Sequence, residues 1–185
     1  MKRRGALICS LLALLAACTT ADLPLINEAK RFEPEWLTLT EQVTFLDRFL
    51  RVADARYERD LREVEGMVAS PDSSIQLTLY SLRSQYRQMI RERDAIKQAY
   101  QPVRAEFIKE VALFNEWESR LSKGKLDSAS ARQELQRFRE VYQRLHQDLS
   151  DLESRLIVNL DTHNSLLRQM TGSLQVFANY MIEYN

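Results

Sequence analysis

Residues 131–170 read ARQELQRFREVYQRLHQDLSDLESRLIVNLDTHNSLLRQM. Apolar side chains recur in this stretch every three or four residues, which is the spacing of one helix face and of a coiled-coil seam. The members of this stripe are Ala131, Leu135, Phe138, Tyr142, Leu145, Leu149, Leu152, Leu156, Leu167 and Met170, and it continues to Leu174, Phe177 and Met181. The pattern predicts one long amphipathic helix that extends almost to the C-terminus.

Two similar stripes precede it, from Leu39 to Val68 and from Ile75 to Leu121. The first is interrupted at Ser70-Pro71-Asp72-Ser73-Ser74, because proline disfavours helix in the residue before it and Asp or Ser can cap the next helix. The second ends at Lys123-Gly124-Lys125, a combination of cations and glycine that is typical of a helix C-terminus. Asp127 or Ser128 is then positioned to cap the third helix. No strand-like alternation of polar and apolar residues interrupts this pattern.

These three helices predict an all-α fold, an elongated antiparallel three-helix coiled-coil bundle. At 1.5 Å per residue the helices would be ~45, ~75 and ~80 Å long, and short connections make consecutive helices antiparallel. Reflecting the sequence about its two turns places Leu39 beside Val103, so the first helix is expected to end near Pro102. Beyond that level we expect a two-helix hairpin extension with its tip near Gly124. The alternative is that Pro102 breaks the second helix.

The N-terminus has a different character. Lys2-Arg3-Arg4 precedes an apolar run from Gly5 to Leu14 and then Leu15-Ala16-Ala17-Cys18. This order of basic, apolar and small residues indicates a secretory signal peptide, and the apolar run is shorter than the ~20 residues that span a bilayer. With a cysteine at the cleavage point, the segment resembles the lipobox of bacterial lipoproteins. The resemblance covers residues 1–18 only.

That resemblance implies a signal peptide over residues 1–17 and lipidation of Cys18, which becomes the first residue of the mature chain. Two or more acyl chains hold a protein at a membrane stably, whereas one chain does so only marginally. The residue after the cysteine is Thr19 rather than aspartate, which in this class of lipoproteins implies the periplasmic face of the outer membrane, with the inner membrane as the alternative. Residues 18–37 are expected to form a lipid-anchored tether that reaches a helical rod over residues 38–185.

Composition excludes several classes of function. The signal holds three basic and no acidic residues, so the mature chain has 23 basic against 26 acidic residues, a net charge of −3. A chain of this charge lacks the cationic field that recruits nucleic acid. Cys9 lies in the signal and Cys18 is the lipidation site, which leaves no thiol for a disulfide or a thiolate metal site.

Motifs for catalysis are missing from the sequence. It contains no glycine-rich phosphate loop, no GxSxG elbow and no HExxH, and its histidines are His146 and His163. Neither histidine has a cysteine or a cluster of carboxylates beside it in the sequence, as nucleophilic or zinc chemistry would require. We therefore expect a protein that is not an enzyme and that uses no metal and no cofactor.

Four polar residues interrupt or border the apolar stripes at similar levels of the predicted bundle: Asp54, Arg93, Asn159 and His163. One interpretation is a polar layer that fixes helix register at a cost in stability. The alternative is a small-ligand or pH-sensing site around His163, since histidine titrates near pH 6.5. A basic ridge at Arg83, Arg87 and Arg91 is expected to be solvated or paired with acids of the first helix, or else to contact an anionic partner.

Leu113 and Trp117 lie one turn apart on a flank of the second helix, away from its predicted seam. An exposed Trp beside a Leu is typical of a protein interface, although the segment from Leu23 to Trp36 could fold back and cover both. The sequence as a whole predicts a membrane-anchored, non-enzymatic envelope scaffold or accessory subunit. It would bind a partner protein or a second copy of itself through coiled-coil surfaces.

Overall fold

The computed structural model describes residues 22–68 and 73–183, and the side chains of residues 22–66 and 77–172. Three long helices make up these residues: α1 (Leu23–Val68), α2 (Ser73–Ser122) and α3 (Ser128–Glu183). They pack against one another as a three-helix bundle, so the predicted all-α class and helix count are confirmed. The lipidation site Cys18 and the first interruption at Ser70-Pro71-Asp72 lie outside the described residues. In the part that is described, no helix is long and apolar enough to cross a bilayer.

The helix ends follow from local capping chemistry. Asp22 caps α1, because its Oδ1 accepts a hydrogen bond from the Leu25 amide at 3.2 Å. Asp127 caps α3 in the same way, with the Ser130 amide 2.9 Å from its Oδ1. These hydrogen bonds to the carboxylate lower the pKa of both aspartates.

The turn between α2 and α3 is closed by Gly124. Its φ is +63°, a left-handed conformation that glycine adopts without steric cost. The Gly124 amide donates to the Leu121 carbonyl at 3.0 Å and the Lys125 amide donates to the Arg120 carbonyl at 2.9 Å. This pair of bonds is a Schellman motif, and the predicted stop at Gly124 and cap at Asp127 are confirmed.

By their contacts, the residues divide into two compact units. Unit 1 comprises the described part of Met1–Thr40 together with Ala105–His146. Unit 2 comprises the described parts of Glu41–Arg104 and Gln147–Asn185.

Unit 1 contains segments of all three helices around an aromatic core. Glu28 of α1 pairs with Arg139 of α3 at 2.7 Å, and Glu110 of α2 pairs with Arg137 of α3 at 2.8 Å. Ring contacts join the helices at the centre, with Trp36 and Phe114 centroids 5.5 Å apart. The members of this cluster are Phe32, Trp36, Phe114, Trp117, Phe138 and Tyr142.

The predicted two-helix hairpin extension is not present. Helix α1 begins at Leu23 rather than near Leu39, so the expected tether, residues 18–37, is helical from Leu23 onward. Phe32 of this segment packs on Phe114 of α2 and on Tyr142 of α3, with centroids 5.8 and 5.6 Å apart. Unit 1 therefore contains three helices where two were expected.

Burial outweighs the unfavourable proline within the first half of α1. Pro34 lies inside α1 and costs about 3 kcal/mol by removing one backbone hydrogen bond. Phe32 and Trp36 are 3% and 5% exposed. Two buried aromatic side chains of ~150–250 Å² each, at ~25 cal/mol/Å², contribute roughly 7–12 kcal/mol. The helix therefore continues through Pro34, and α2 likewise continues through Pro102 without a break.

Unit 2 also contains segments of all three helices. In the ion pairs between α1 and α2, the residue numbers rise along α1 and fall along α2, so these two helices are antiparallel. The pairs are Asp47 with Arg104, Asp54 with Lys97 and Glu65 with Arg87. In the contacts between α1 and α3, the residue numbers rise along both helices, so these two helices are parallel. The contacts are Gln42 with Ser150 and Asp60 with His163. Its core includes Ala53, Tyr57, Val64, Leu79, Leu82, Tyr86, Met89, Leu166 and Met170.

Candidate functional site

A buried carboxylate and a buried imidazole meet in the core of unit 2. The His163 Nε2 atom of α3 lies 2.7 Å from the Asp60 Oδ2 atom of α1. Asp60 is 2% exposed and His163 is 5% exposed. Ionisable side chains are seldom buried this deeply unless they are paired. Asp60 also accepts a hydrogen bond from Arg59 Nε at 3.1 Å through its other oxygen, Oδ1.

Two tyrosine rings enclose this pair. The Tyr57 ring stacks on the His163 imidazole at 4.4 Å between centroids, and the Tyr86 ring meets the same imidazole edge-on at 6.1 Å. Burial raises the pKa of both phenols to about 12, and for Tyr86 the negative charge of Asp60 adds to the effect. The two hydroxyl groups are themselves buried and have no hydrogen-bond partner among the described residues. The site therefore holds its tyrosines as neutral packing groups.

A second charged group lies beside Tyr57. Arg93 is 4% exposed, and its guanidinium carbon lies 5.9 Å from the Tyr57 ring centroid. Its Nη2 atom donates to Asp94 Oδ1 at 2.7 Å, while its Nη1 atom is 3.4 Å from Asp54 Oδ1, within ion-pair range but without hydrogen-bond geometry. Asp54 is also paired with Lys97, at 2.5 Å. Arg93 thus shares two carboxylates, of which one is already neutralised by a lysine.

Asn159 links α3 to α2 through a buried hydrogen bond. It is 4% exposed, and its Nδ2 atom donates to the Met89 carbonyl at 2.9 Å. Its Oδ1 atom is buried with no partner in the described part of the chain. A single amide bonded to a neighbouring backbone carbonyl is consistent with the specificity role of polar core residues.

The four residues of the predicted polar layer lie in unit 2, in two separate charged pairs and one amide that bonds to the backbone. Asp54 pairs with Arg93, as its position suggested, whereas His163 pairs with Asp60, which sequence reasoning missed. The signal for Asp60 was present, since position 60 is three residues after Tyr57 and four before Val64. Leu61 fits the same spacing, is apolar and packs against the same core, so hydrophobicity alone gave no reason to place Asp60 inside as well.

Sequence reasoning also missed a buried charge in unit 1. Glu110 is 4% exposed and its Oε2 atom is 2.8 Å from Arg137 Nη1. The Arg137 guanidinium lies 4.3 Å from the Phe138 ring centroid and also reaches Glu134 at 3.2 Å. Glu110 is three residues after Phe107 and four before Phe114 in the apolar stripe, which is the signal that could have identified it.

The two residues of the predicted partner interface occupy different environments. Trp117 is 5% exposed and packs against Phe114 and Phe138, with centroids 5.7 and 5.6 Å apart. Leu113 is 38% exposed. Trp117 is therefore a core residue of unit 1 and offers no exposed surface, while Leu113 remains accessible.

In the basic ridge, Arg87 pairs with Glu65 of α1 at 2.5 Å. The Arg83 guanidinium lies 4.9 Å from the Tyr80 ring centroid. Pairing with an acid of the first helix was one of the expected outcomes, and for Arg87 that acid is Glu65. Exposed pairs of this kind contribute only ~0–1 kcal/mol.

The arrangement in unit 2 can hold one proton between an imidazole and a carboxylate in a water-poor core. A surface groove between α2 and α3 reaches the same level and is lined in part by Met89, Asn159 and the exposed Val158. Over residues 22–68 and 73–183, no cluster of three or more His, Cys, Asp or Glu side chains could bind a metal ion.

No family model, no curated protein and no solved structure matches this chain.

Proposed function

We propose that this chain is a lipid-anchored cell-envelope lipoprotein that acts as a non-enzymatic scaffold or accessory subunit. Acylation of Cys18 would hold it at the periplasmic face of the outer membrane, and its helical surfaces would bind a partner protein or a second copy of the chain. An elongated rod belongs to the same proposal and rests on the length of the amphipathic stripes.

One observation supports the proposal. Large apolar side chains are exposed on the outer surface of the helices, although other residues already fill the core of each unit. In unit 1, Ile108 and Leu113 of α2 are 51% and 38% exposed. In unit 2, Ile157 and Val158 of α3 are 44% and 65% exposed. Exposed apolar side chains are typical of interaction surfaces when they form patches.

The buried ionisable groups support a structural rather than a catalytic role. Asp60 is paired with His163, and Glu110 is paired with Arg137, in each case within 3 Å. A catalytic acid or base must reach a substrate proton. Asp60, His163 and Glu110 are each less than a tenth exposed and already paired, so they are better suited to fixing helix register.

The anchor is tested by labelling with a fatty acid. Wild-type chain is expected to incorporate the label at Cys18, and Cys18→Ser is expected to abolish incorporation and maturation. Recovery of unacylated wild-type protein with a different N-terminus would contradict the lipoprotein proposal.

The scaffold role is tested by placing a photo-crosslinking amino acid at Ile108 or Leu113 of the full chain in its source bacterium. We expect a discrete cross-linked envelope protein, or a cross-linked dimer, from these positions. Glu116 is an exposed polar position on the same helix and serves as the matched control. If no apolar surface position gave a specific product, the scaffold proposal would fail.

A second candidate function is a small-ligand or pH-sensing site near His163, and the buried Asp60–His163 pair is the observation that favours it. Around it lie Tyr57, Tyr86 and the ion pair of Arg59 with Asp60 at 3.1 Å. The test compares partner cross-linking at about pH 5.5 and about pH 7.5, on either side of the ordinary histidine pKa of ~6.5. A sensor would respond to pH in wild-type protein and not in His163→Phe, and equal responses would exclude it.

A further inference from the structure

The end of α1 is level with a position well before the end of α3. In unit 2, Asp60 of α1 lies 2.7 Å from His163 of α3, and the two helices run parallel from there. Helix α1 ends at Val68, eight residues after Asp60. With the same rise per residue in both helices, Val68 is level with about position 171 of α3. The last turns of α3 therefore lie past the described end of α1.

The start of α2 is level with a similar position of α3. Arg155 of α3 pairs with Glu92 of α2, and Asn159 donates to the Met89 carbonyl, so these two helices are antiparallel. Helix α2 begins at Ser73, 16 residues before Met89. The same rise per residue places Ser73 level with about position 175 of α3. Helix α3 continues to residue 183. Residues 176–183 therefore lie beyond the described ends of both neighbouring helices, and we call them the α3 overhang.

The α3 overhang reads VFANYMIE, and the apolar stripe of α3 continues through it. Met170 is buried in the core of unit 2. Phe177 and Met181 follow it by seven and eleven residues, which places them on the same helix face. Asn179 and Glu183 belong to the opposite face. The overhang thus continues the spacing of a seam that α1 and α2 fill lower down, at a level that no described residue of these helices reaches.

The charges of this segment restrict what can cover it. Residues 169–182 contain no charged side chain, so the segment offers an acidic or a basic partner no charge complementarity. Two copies can meet along it without like-charge repulsion, and antiparallel pairing keeps the two Glu183 residues at opposite ends. Helices that lie in a membrane surface are rich in Lys and Arg on their polar face, whereas the overhang has neither. Eight residues are also fewer than the ~20 that span a bilayer.

We propose that the α3 overhang pairs side by side and antiparallel with the overhang of a second copy of the chain. A two-fold axis lets each copy cover the other at once, and the three-four spacing of the stripe accepts a helix of the same kind. This inference rests on the proposed scaffold function and names the second copy as the partner at this end of α3. The overhang is about 12 Å long, so the interface is small and the association reversible.

The test is cysteine cross-linking of the full chain in membranes of its source bacterium. In the proposed lipoprotein Cys9 is removed and Cys18 is acylated, so an introduced cysteine is the only free thiol. We expect Phe177→Cys and Met181→Cys, on the apolar face, to give a cross-linked dimer with a short bismaleimide. Asn179→Cys, on the opposite face of the same turns, is the matched control and is expected to give little dimer. The chain without an introduced cysteine is the second control.

A charge on the apolar face assigns the dimer to the overhang. Phe177→Asp is expected to abolish the dimer that Met181→Cys gives, because it places a carboxylate in the seam of each copy. Asn179→Asp adds the same charge on the opposite face and is expected to leave the dimer unchanged. Both variants should melt close to wild type by circular dichroism, since no described residue of α1 or α2 is level with these positions. Asn179→Asp with the dimer intact also shows that a charge in the overhang is compatible with folding.

Several results would overturn the proposal. They are absence of a dimer from both apolar positions, equal dimer from Asn179→Cys, and a dimer that persists in Phe177→Asp. A cross-linked product with a different protein would assign the overhang to that protein instead. A large fall in the melting temperature of Phe177→Asp, without any dimer, would show that the overhang packs within its own chain. Cross-linking from Ile108 or Leu113 is scored separately, so the scaffold proposal can fail or survive independently.

Discussion

Replacing Asp60 with leucine leaves His163 buried in the core of unit 2 without its carboxylate partner, and replacing His163 with leucine leaves the buried Asp60 with Arg59 alone. The two atoms are 2.7 Å apart and both residues are at most 5% exposed. Breaking a buried pair by removing one partner costs about 3–5 kcal/mol. For chains of 150–250 residues each kcal/mol corresponds to about 2–4 °C, so each single variant should melt roughly 6–20 °C lower.

The double variant Asp60→Leu/His163→Leu separates pairing from packing. It removes both polar groups and replaces them with apolar side chains, which is often neutral or stabilising at buried pairs. We expect it to lose less free energy of unfolding than either single variant. Independent sites would instead give a loss near the sum of the single losses, about 6–10 kcal/mol.

Urea unfolding followed by circular dichroism measures these free energies. A matched surface cycle uses Arg155 and Glu92, which are 2.8 Å apart but 38% and 52% exposed, and its coupling should be only about 0.2–1 kcal/mol. If the Asp60 and His163 losses were additive, or each smaller than about 1 kcal/mol, the pair would not have the structural role assigned to it here.

Other predictions follow from neighbouring contacts. Tyr57→Phe removes a buried hydroxyl that has no partner among the described residues and whose pKa is raised to about 12. Because this folded-state pKa lies above the ordinary ~10, the stability of the wild type should fall as pH rises from about 10 to about 12. The urea midpoint of the variant should fall less over the same range. Removing the carboxylates of Asp54 and Asp94 together should cost about 3–5 kcal/mol by stranding a buried guanidinium, whereas Arg93→Met should cost clearly less in the same urea assay, since both acids are partly exposed. Trp117→Ala should cost about 3–5 kcal/mol, a loss typical of a buried tryptophan; a melting temperature close to wild type would contradict its place in the core. X-ray scattering of the full chain with Cys18→Ser should give a radius of gyration well above the ~16 Å of a compact domain of about 185 residues, and a value near 16 Å would refute the elongated rod.

The sequence predicted α2, α3 and the turn between them because the relevant signals are local. Apolar spacing, the positive φ available to Gly124 and the capping carboxylate of Asp127 each act within one or two helical turns. The start of α1 could not be predicted in the same way. Pro34 is an unfavourable local signal, and the contacts that outweigh it come from Phe114 and Tyr142, which are distant in sequence.

The polar cluster shows the same limit at the level of single side chains. Asp60 and Leu61 fit the helical repeat equally well, and only the position of His163 on another helix decides that the aspartate turns inward. Leu61 also contacts the core although Asp60 is buried, because it packs at the edge of the same cluster. A rule that assigns core positions by hydrophobicity will therefore miss a buried acid wherever its partner lies on a distant segment.

The acids and the arginines of α1 differ in exposure: Asp60 is buried, whereas Arg56 and Arg59 are exposed. Asp47, Asp54 and Asp60 pair with groups on α2 and α3. Arg56 is exposed, and the exposed Arg59 pairs with Asp60 and Glu63. Substituting an inner acid should therefore alter the free energy of unfolding, and substituting the exposed Arg56 should have little effect on it. If Arg56→Glu destabilised the fold as strongly as Asp60→Leu, the exposed charges of α1 would have a structural role as well.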